Sequence, residues 1–82
     1  MATFYPHFKL AKKMGVHEIS WPVTSVKDLI QQGQKEFGDE FTQELQVSTI
    51  LVNGRAVNYL KGMNTPLTDK DSVSTVMLAG GN

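Results

Sequence analysis

Several features are missing from this chain of 82 residues, and each absence excludes a class of protein. There is no cysteine, which excludes disulfides, thiolate metal ligands and cysteine nucleophiles. Eight basic residues balance eight acidic ones, so the positive field typical of nucleic-acid-binding proteins is lacking and we expect no such partner. No apolar run is long enough for a membrane span, and the first residues do not resemble a signal peptide. We therefore expect a cytoplasmic protein with no membrane association.

Few side chains are candidates for catalysis or metal binding. The only imidazoles are His7 and His17, and Glu18 alone does not complete a metal-ligand motif, so we expect no metal site. Asp69 and Asp71 fall in a predicted turn, where short acidic side chains usually bond the backbone rather than act as an acid–base pair. A solvated acidic stretch is expected from Asp39, Glu40 and Glu44. No catalytic or cofactor motif occurs, so we expect a protein that is not an enzyme and has no cofactor.

The first quarter of the chain predicts two strands. Aromatic residues favour a strand over residues 3–10, although Pro6 cannot donate to a ladder and indicates an edge, a bulge or an early end to pairing. Residues 11–15 predict a turn or a short helical piece. Residues 16–22 alternate in part and predict a second strand, which forms a hairpin with the first.

A helix is predicted next, because apolar residues recur at period 3.6. Ser25 with Asp28 three residues later resembles a capping box, and Gly38 is well placed to end the helix. The apolar face consists of Val26, Leu29, Ile30, Gly33 and Phe37. Residues 39–46 predict a loop or a second short helix.

The second half of the chain predicts a hairpin and a final strand. Residues 47–52 are rich in β-branched side chains, and Asn53-Gly54 is typical of a type I′ turn before a short strand at 55–57. Residues 58–67 predict a loop, and residues 72–78 the last strand. Trp21 and the helix face, Val26, Leu29, Ile30 and Phe37, are expected in the core. We expect that helix face to pack against most of Val47, Ile50, Val52, Val73 and Val76.

This order of elements predicts an α+β fold in which one main helix crosses a mixed sheet of four to five strands. If the last strand lies beside the first, the two are parallel. Residues 1–78 are expected to form one domain, and residues 79–82 a flexible tail containing two glycines.

The spacing of the C-terminal motifs resembles that of one protein family. The matching segments are Val52-Asn53-Gly54-Arg55-Ala56-Val57, Gly62, Thr65-Pro66-Leu67-Thr68-Asp69-Lys70-Asp71-Ser72-Val73 and Ala79-Gly80-Gly81. Together they resemble the MoaD/ThiS family of ubiquitin-like β-grasp sulfur carriers. The match covers residues 47–81, whereas residues 1–46 share only the order of elements.

The resemblance implies a sulfur carrier that reacts at its tail, Gly80 and Gly81. In the family, an adenylyltransferase related to ubiquitin-activating enzymes (MoeB/ThiF type) activates the terminal glycine carboxylate, and sulfur replaces an oxygen. A biosynthetic enzyme that makes molybdopterin, tungstopterin or a thiazole then receives the sulfur. Glycine suits such a tail, because it has no side chain to obstruct a narrow channel.

Asn82 departs from the family pattern, because the Gly81 carboxylate is tied in a peptide bond. The sequence therefore implies a protease that removes Asn82, or else an interaction module or protein modifier whose tail transfers no sulfur. Met77-Leu78 also stands where many molybdopterin carriers have a proline pair. Candidate residues for partner docking, expected on the sheet face opposite the helix near the tail, are Leu60, Met77 and Leu78, with Arg55 as a possible rim contact.

Overall fold

The computed structural model describes residues 1–77, in which three helices accompany a five-stranded mixed sheet. The strands are β1 (Ala2–Tyr5), β2 (Ile19–Trp21), β3 (Ser48–Val52), β4 (Arg55–Ala56) and β5 (Ser72–Met77). The helices are α1 (Phe8–Met14), α2 (Val26–Phe37) and α3 (Asp39–Gln46), and two 3-10 turns lie at Val57–Tyr59 and Gly62–Asn64. Within the described chain, no helix has the length and apolar character that a bilayer crossing requires.

The sheet has the strand order β2-β1-β5-β3-β4. β5 lies in the centre, parallel to β1 and antiparallel to β3, while β1–β2 and β3–β4 are antiparallel pairs. The predicted α+β class is thereby confirmed, as is the parallel pairing of the first and last strands. The connection between β2 and β3 carries α2 and α3, and α2 packs on one face of the sheet.

The first predicted strand is too long, because β1 ends at Tyr5 and α1 begins at Phe8. Pro6 ends the pairing, as its missing N–H and fixed φ suggest. The buried side chains of α1, Leu10, Ala11 and Met14, recur at helical spacing and pack into the core. The predicted second strand is also shorter than expected, since only Ile19–Trp21 pairs with β1.

The predicted helix is confirmed as α2. The Ser25 side chain accepts a hydrogen bond from the Asp28 N–H at 3.1 Å, and Gly38 ends the helix at a φ of 78°. The reciprocal half of the capping box differs, because the Asp28 carboxylate accepts hydrogen bonds from the N–H and hydroxyl of Thr24 instead of from Ser25. Residues 39–46 form the second short helix, α3.

The core lies between the sheet and the helices, and most of the predicted packing is confirmed. Buried residues from both layers are Val26, Leu29, Ile50, Val52 and Val73, while Ile30 and Phe37 pack against them with part of their surface exposed. Val47 and Val76 do not join the core, being 53% and 44% exposed. Val47 precedes β3, and alternation along β5 places Val76 on the opposite face from Val73.

Gly33 lets the two longer helices approach closely. A Cβ atom built at Gly33 would overlap the ring of Phe41 in α3, so the glycine of the α2 apolar face is required by a helix–helix contact. Phe41 is buried at the centre of an aromatic cluster with Phe4, Trp21 and Phe37, in which its ring centroid lies 5.9 to 6.2 Å from the others. α3 is therefore part of the core.

Candidate functional site

The predicted reactive tail continues from the central strand of the sheet. β5 ends at Met77, which lies opposite Ser48 at the start of β3. The predicted site residues Gly80 and Gly81, the docking candidate Leu78 and the whole segment 79–82 lie outside the described residues. The structure therefore places the attachment point of the tail at Met77, on the strand held by β1 and β3.

The described docking candidates do not share one surface. Met77 is 58% exposed, but alternation along β5 places it on the same side as the buried Val73 and Thr75. Leu60 is partly buried and packs against the core. Arg55 is exposed beside the Asn53-Gly54 turn, at the far end of β3 from Met77.

The sheet face that carries no helix presents a small apolar row near the end of β5. Tyr5 and Leu51 both pair with Ser74, and Val76 lies next along β5 on the same face. Tyr5 and Val76 are exposed, and Leu51 is half-buried. The neighbouring strand residues on this face, Thr3, Thr49, Ser72 and Ser74, carry small hydroxyls, so the described residues of β1, β3 and β5 place no charge on it. The sequence analysis did not predict that these three residues share a surface. Alternation along each strand could have indicated it, because residues one or three positions from the buried Phe4 and Val73 face the opposite side of the sheet.

The two motifs that carry the family resemblance bond directly to each other. Asn53 in the β3–β4 turn donates from its amide to Asp71 at 2.9 Å, and its amide oxygen accepts from the Ser72 N–H at 2.9 Å. Its backbone N–H also donates to the Ser72 carbonyl at 2.8 Å. Asn53 has a φ of 52° and Gly54 one of 85°, the left-handed pair that a type I′ turn requires. The hairpin turn thus fixes the start of β5.

Asp71 acts as a hydrogen-bond acceptor, as expected for an acidic residue in this turn. Its carboxylate accepts from Asn53 and, at 2.7 Å, from the Thr68 N–H. Both bonds favour the ionised carboxylate and hold the pKa of Asp71 below its ordinary value of 3.8. The bond from Asn53 has the larger effect. Asp69 instead forms an exposed ion pair with the amino group of Met1, so the two carboxylates do not form an acid–base pair.

A buried polar network connects α1, α3 and β5, and it contradicts the expectation that Glu44 is solvated. The Glu44 side chain is only 4% exposed and lies 3.2 Å from Nε2 of His7, with Lys9 and Lys13 within 4 Å of its other oxygen. Nδ1 of His7 lies 2.6 Å from the Thr75 hydroxyl, which also accepts from the His7 backbone N–H. Glu44 is buried because its position on α3 faces the same way as the buried Phe41 and Leu45.

His7 links two buried partners through its ring nitrogens. Nδ1 is within hydrogen-bond distance of the Thr75 hydroxyl, and Nε2 is within hydrogen-bond distance of the Glu44 carboxylate. The connectivity resembles that of a hydroxyl–imidazole–carboxylate triad. However, the Thr75 residue is only 4% exposed, so a substrate has no access to its hydroxyl. Among residues 1–77, no group of three or more His, Asp or Glu side chains converges as a metal site would.

Of the comparisons with known proteins, the one with solved structures gives matches. No family model matches the sequence, and a search of curated proteins gives no match either. Small archaeal modifier protein 1 (SAMP1) from Methanosarcina acetivorans superposes with a TM-score of 0.86 at 17% identity, covering 99% of this chain and 95% of that one. CysO in the BexX/CysO complex structure from Amycolatopsis orientalis gives a TM-score of 0.84 at 13% identity, with both chains covered completely.

A third solved structure has a higher sequence identity. The HVO 2177 protein from Haloferax volcanii gives a TM-score of 0.80 at 28% identity, covering 98% of this chain and 85% of that chain. All three superpose over the sheet and helices described above. This chain is therefore a ubiquitin-like β-grasp protein, the fold that its resemblance to the MoaD/ThiS family predicts.

Proposed function

We propose that this protein is a ubiquitin-like sulfur carrier whose chemistry takes place at Gly81 once the Gly81–Asn82 bond has been cleaved. The observation that carries the proposal is that the diglycine tail continues from β5, the central strand. The Asn53–Asp71 contact, formed between the two motifs that resemble those of sulfur carriers, holds the start of that strand. The likeness to SAMP1 and CysO supports this class of small protein.

The proposed reaction needs only the chain end. The Gly81 carboxylate attacks the α-phosphorus of ATP inside an adenylyltransferase of the MoeB/ThiF type, and pyrophosphate leaves. A sulfide-level sulfur nucleophile then attacks the acyl carbon, AMP leaves, and a thiocarboxylate remains. The carrier supplies no catalytic side chain, so the proposal describes a substrate protein rather than an enzyme.

The dimensions of the chain suit this role. Gly81 lies four residues beyond Met77, so an extended tail reaches at most about 14 Å from the end of β5. That reach is enough for a narrow channel but requires the domain itself to dock at the channel entrance. We propose that the apolar row of Tyr5, Leu51 and Val76 makes this contact, because it lies beside the end of β5 and carries no charge to desolvate.

The decisive experiment compares the form that ends at Gly81 with the form that retains Asn82. Each is incubated with ATP, sulfide and each activating enzyme of this type that its host encodes, and its intact mass is measured. We expect the trimmed form to exchange one oxygen for sulfur, and the form with Asn82 to remain unchanged, because its Gly81 carbonyl is an amide.

The matched control is the trimmed form carrying Gly81→Phe, which keeps the terminal carboxylate but places a bulky side chain in the channel. It should not be modified. A trimmed wild-type form that no host enzyme modifies would contradict the carrier function. A thiocarboxylate on the form with Asn82 would contradict the requirement for cleavage.

The second candidate function is that of a protein modifier, favoured by the likeness to the modifier protein SAMP1. It uses the same activation but ends with Gly81 in an amide bond to a lysine of another protein. Purification of the protein from its native host separates the two. Conjugates of higher mass with a diglycine-linked lysine indicate a modifier, whereas a free thiocarboxylate indicates a carrier.

A further inference from the structure

The turn between β3 and β4 places a glycine directly after an asparagine, and this pair can react with itself. The backbone nitrogen of Gly54 gives its proton to solvent and attacks the side-chain carbonyl carbon of Asn53. Ammonia leaves with a proton from solvent, and a cyclic imide remains. Water then opens the imide at either carbonyl, which gives aspartate or isoaspartate. Glycine favours this reaction because it has no side chain to obstruct the attacking nitrogen.

The packing of the protein leaves the turn accessible to water and base. Asn53 and Gly54 are both exposed. A Cβ atom built at Gly54 would meet no atom within 4 Å, so the space around the attacking residue is open. Steric shielding therefore does not protect the pair, and any protection has to come from the hydrogen bonds of the Asn53 side chain.

Both polar atoms of the Asn53 amide are held by the segment that begins β5. The amide nitrogen donates to Asp71 at 2.9 Å, and the amide oxygen accepts from the Ser72 N–H at 2.9 Å. The side chain has to turn toward the Gly54 nitrogen for the ring to close, and that rotation breaks both bonds. Because Asp71 and Ser72 are distant from Asn53 in sequence, these bonds exist only while the turn is packed against β5.

The same contacts could in principle assist the reaction, and the ionisation of Asp71 decides against it. The Ser72 N–H polarises the carbonyl that is attacked, but the departing ammonia also needs a proton. The bonds from Asn53 and Thr68 hold the pKa of Asp71 below its ordinary value. Its carboxylate is therefore ionised near neutral pH and has no proton to give. The net effect of the contact is protection.

We infer that Asn53 is a site of spontaneous deamidation, restrained by its bonds to Asp71 and Ser72, and that it reacts in molecules whose β3–β4 turn has opened. Local openings of this kind expose individual segments without unfolding the whole domain. The inference does not depend on the proposed sulfur chemistry, because it concerns only the turn and the start of β5.

Deamidation cannot be followed by return to the original contact. Aspartate at position 53 has no N–H to donate to Asp71 and instead brings a second carboxylate against it. Isoaspartate also adds a carbon to the backbone of a turn in which Asn53 and Gly54 both have positive φ. Either product therefore loosens the connection between the hairpin and β5, and the modified molecule is less stable than the original.

The first test measures deamidation in the full chain, folded in mildly alkaline buffer and unfolded in guanidinium chloride. Mass spectrometry of proteolytic fragments follows each asparagine over time. We expect Asn53 to react at least about tenfold more slowly in the folded chain than in the unfolded one. In the unfolded chain, Asn58 and Asn64 should react more slowly than Asn53, because Tyr59 and Thr65 follow them.

A pair of variants separates the local contact from overall stability. In the folded chain, Asp71→Ala should speed the reaction at Asn53 by about fivefold, because one restraining bond is lost. Leu10→Val is the matched control, since it removes a buried methylene in α1 and leaves the Asn53 contact intact. It should change the rate by less than about twofold. Chemical denaturation gives the stability of each variant.

A second test addresses the consequence of the modification. Asn53→Asp, which has the structure of one product, should unfold at a lower denaturant concentration than wild type. Combining it with Asp71→Asn reverses the direction of donation, because the new amide can donate to the new carboxylate. The double variant should therefore recover part of the loss, which a mere change of turn residue would not explain.

Four results would overturn the inference. They are the absence of deamidation at Asn53 in both states, equal rates in the folded and unfolded chains, a slower reaction in Asp71→Ala, and equal acceleration by Asp71→Ala and Leu10→Val. The third would show that Asp71 assists the reaction, and the fourth that global unfolding controls it. An Asn53→Asp variant as stable as wild type would contradict the proposed consequence.

Discussion

Asn53 combines a backbone role and a side-chain role at a single position. Its left-handed φ of 52° permits the tight turn, and its amide holds Asp71 and the N–H of Ser72. Few residue types tolerate this backbone region and also bridge two loops. The asparagine therefore couples the β3–β4 hairpin to the start of the strand from which the tail continues.

Replacement of Asn53 should destabilise the protein more than replacement of an ordinary surface asparagine. We expect Asn53→Ala to lower the free energy of unfolding by about 1–2 kcal/mol, because two hydrogen bonds are lost and alanine is strained at positive φ. Chemical denaturation measures the change. Asn64→Ala, at another exposed loop position, is the control and should cost less than about 0.5 kcal/mol. Equal effects would contradict the bridging role.

Asp71 predicts a pH dependence of stability in the acid range. Its pKa in the folded protein is lowered from 3.8 by the bonds from Asn53 and Thr68, so the folded state favours the ionised carboxylate. The stabilisation is complete above pH 3.8 and is lost as the pH falls through the lower folded value. The difference in unfolding free energy between wild type and Asp71→Asn should therefore be constant near neutrality and shrink below pH 3.8. A difference that grows on acidification would contradict this assignment.

At the scale of elements, α3 is the part of the fold that depends most on contacts distant in sequence. The helix is short and largely polar, yet it buries Phe41 in the aromatic cluster and Glu44 against His7 of the β1–α1 connection. A helix this short is marginal in isolation. Its stability therefore comes from its contacts with α2, α1 and the sheet.

The closeness of α2 and α3 predicts an unusual response to a glycine-to-alanine change. Replacing glycine by alanine at an interior helix position normally stabilises the protein by about 1 kcal/mol. At Gly33, however, the added methyl group would overlap the Phe41 ring. We expect Gly33→Ala to destabilise the protein by about 1–3 kcal/mol, as overpacking does, measured by thermal or chemical unfolding. Gln31→Ala, on the exposed side of α2, should change the stability by less than about 0.5 kcal/mol. A stabilised Gly33→Ala variant would contradict the close contact.

At the scale of the whole molecule, the central position of β5 connects the core to the chemistry proposed for the tail. One side of the strand contributes Val73 and Thr75 to the interior, and the other side contributes Val76 to the open face. β5 is paired with β1 up to Ser74 and with β3 up to Met77, so its end is held by β3 and forms a base from which a short tail could enter a partner.

The last two residues of β5, Val76 and Met77, allow the docking face to be identified. If the activating enzyme contacts the open face, Val76→Asp should reduce adenylation at a fixed enzyme concentration by about tenfold or more, because the charge must be desolvated. Met77→Asp changes the other face and should have the smaller effect. Pyrophosphate release measures adenylation of the form ending at Gly81, and circular dichroism confirms that both variants fold. A larger effect at Met77 would place the contact on the helix side instead.

Much of the fold could be predicted because it depends on local chemistry. The caps of α2, the Asn53-Gly54 turn and the β-branched run of β3 are each specified within a few residues, and all three are present. The predictions that fail concern segments where neighbours in space overrule the local pattern. The sequence around Phe8 suits a strand or a helix equally, and the core that receives Leu10 and Met14 selects the helix.

The amino-acid sequence by itself determined the class of fold, the position of the main helix and the resemblance that points to the diglycine tail. These rest on periodicity, turn residues and spacing, which are properties of neighbouring residues. Only the tertiary structure decided that Glu44 is buried against His7, that Asn53 bonds to Asp71, and that the last strand lies between β1 and β3. Each of these features joins segments far apart in the chain, and burial and pairing between such segments depend on how the layers pack rather than on the composition of any one segment.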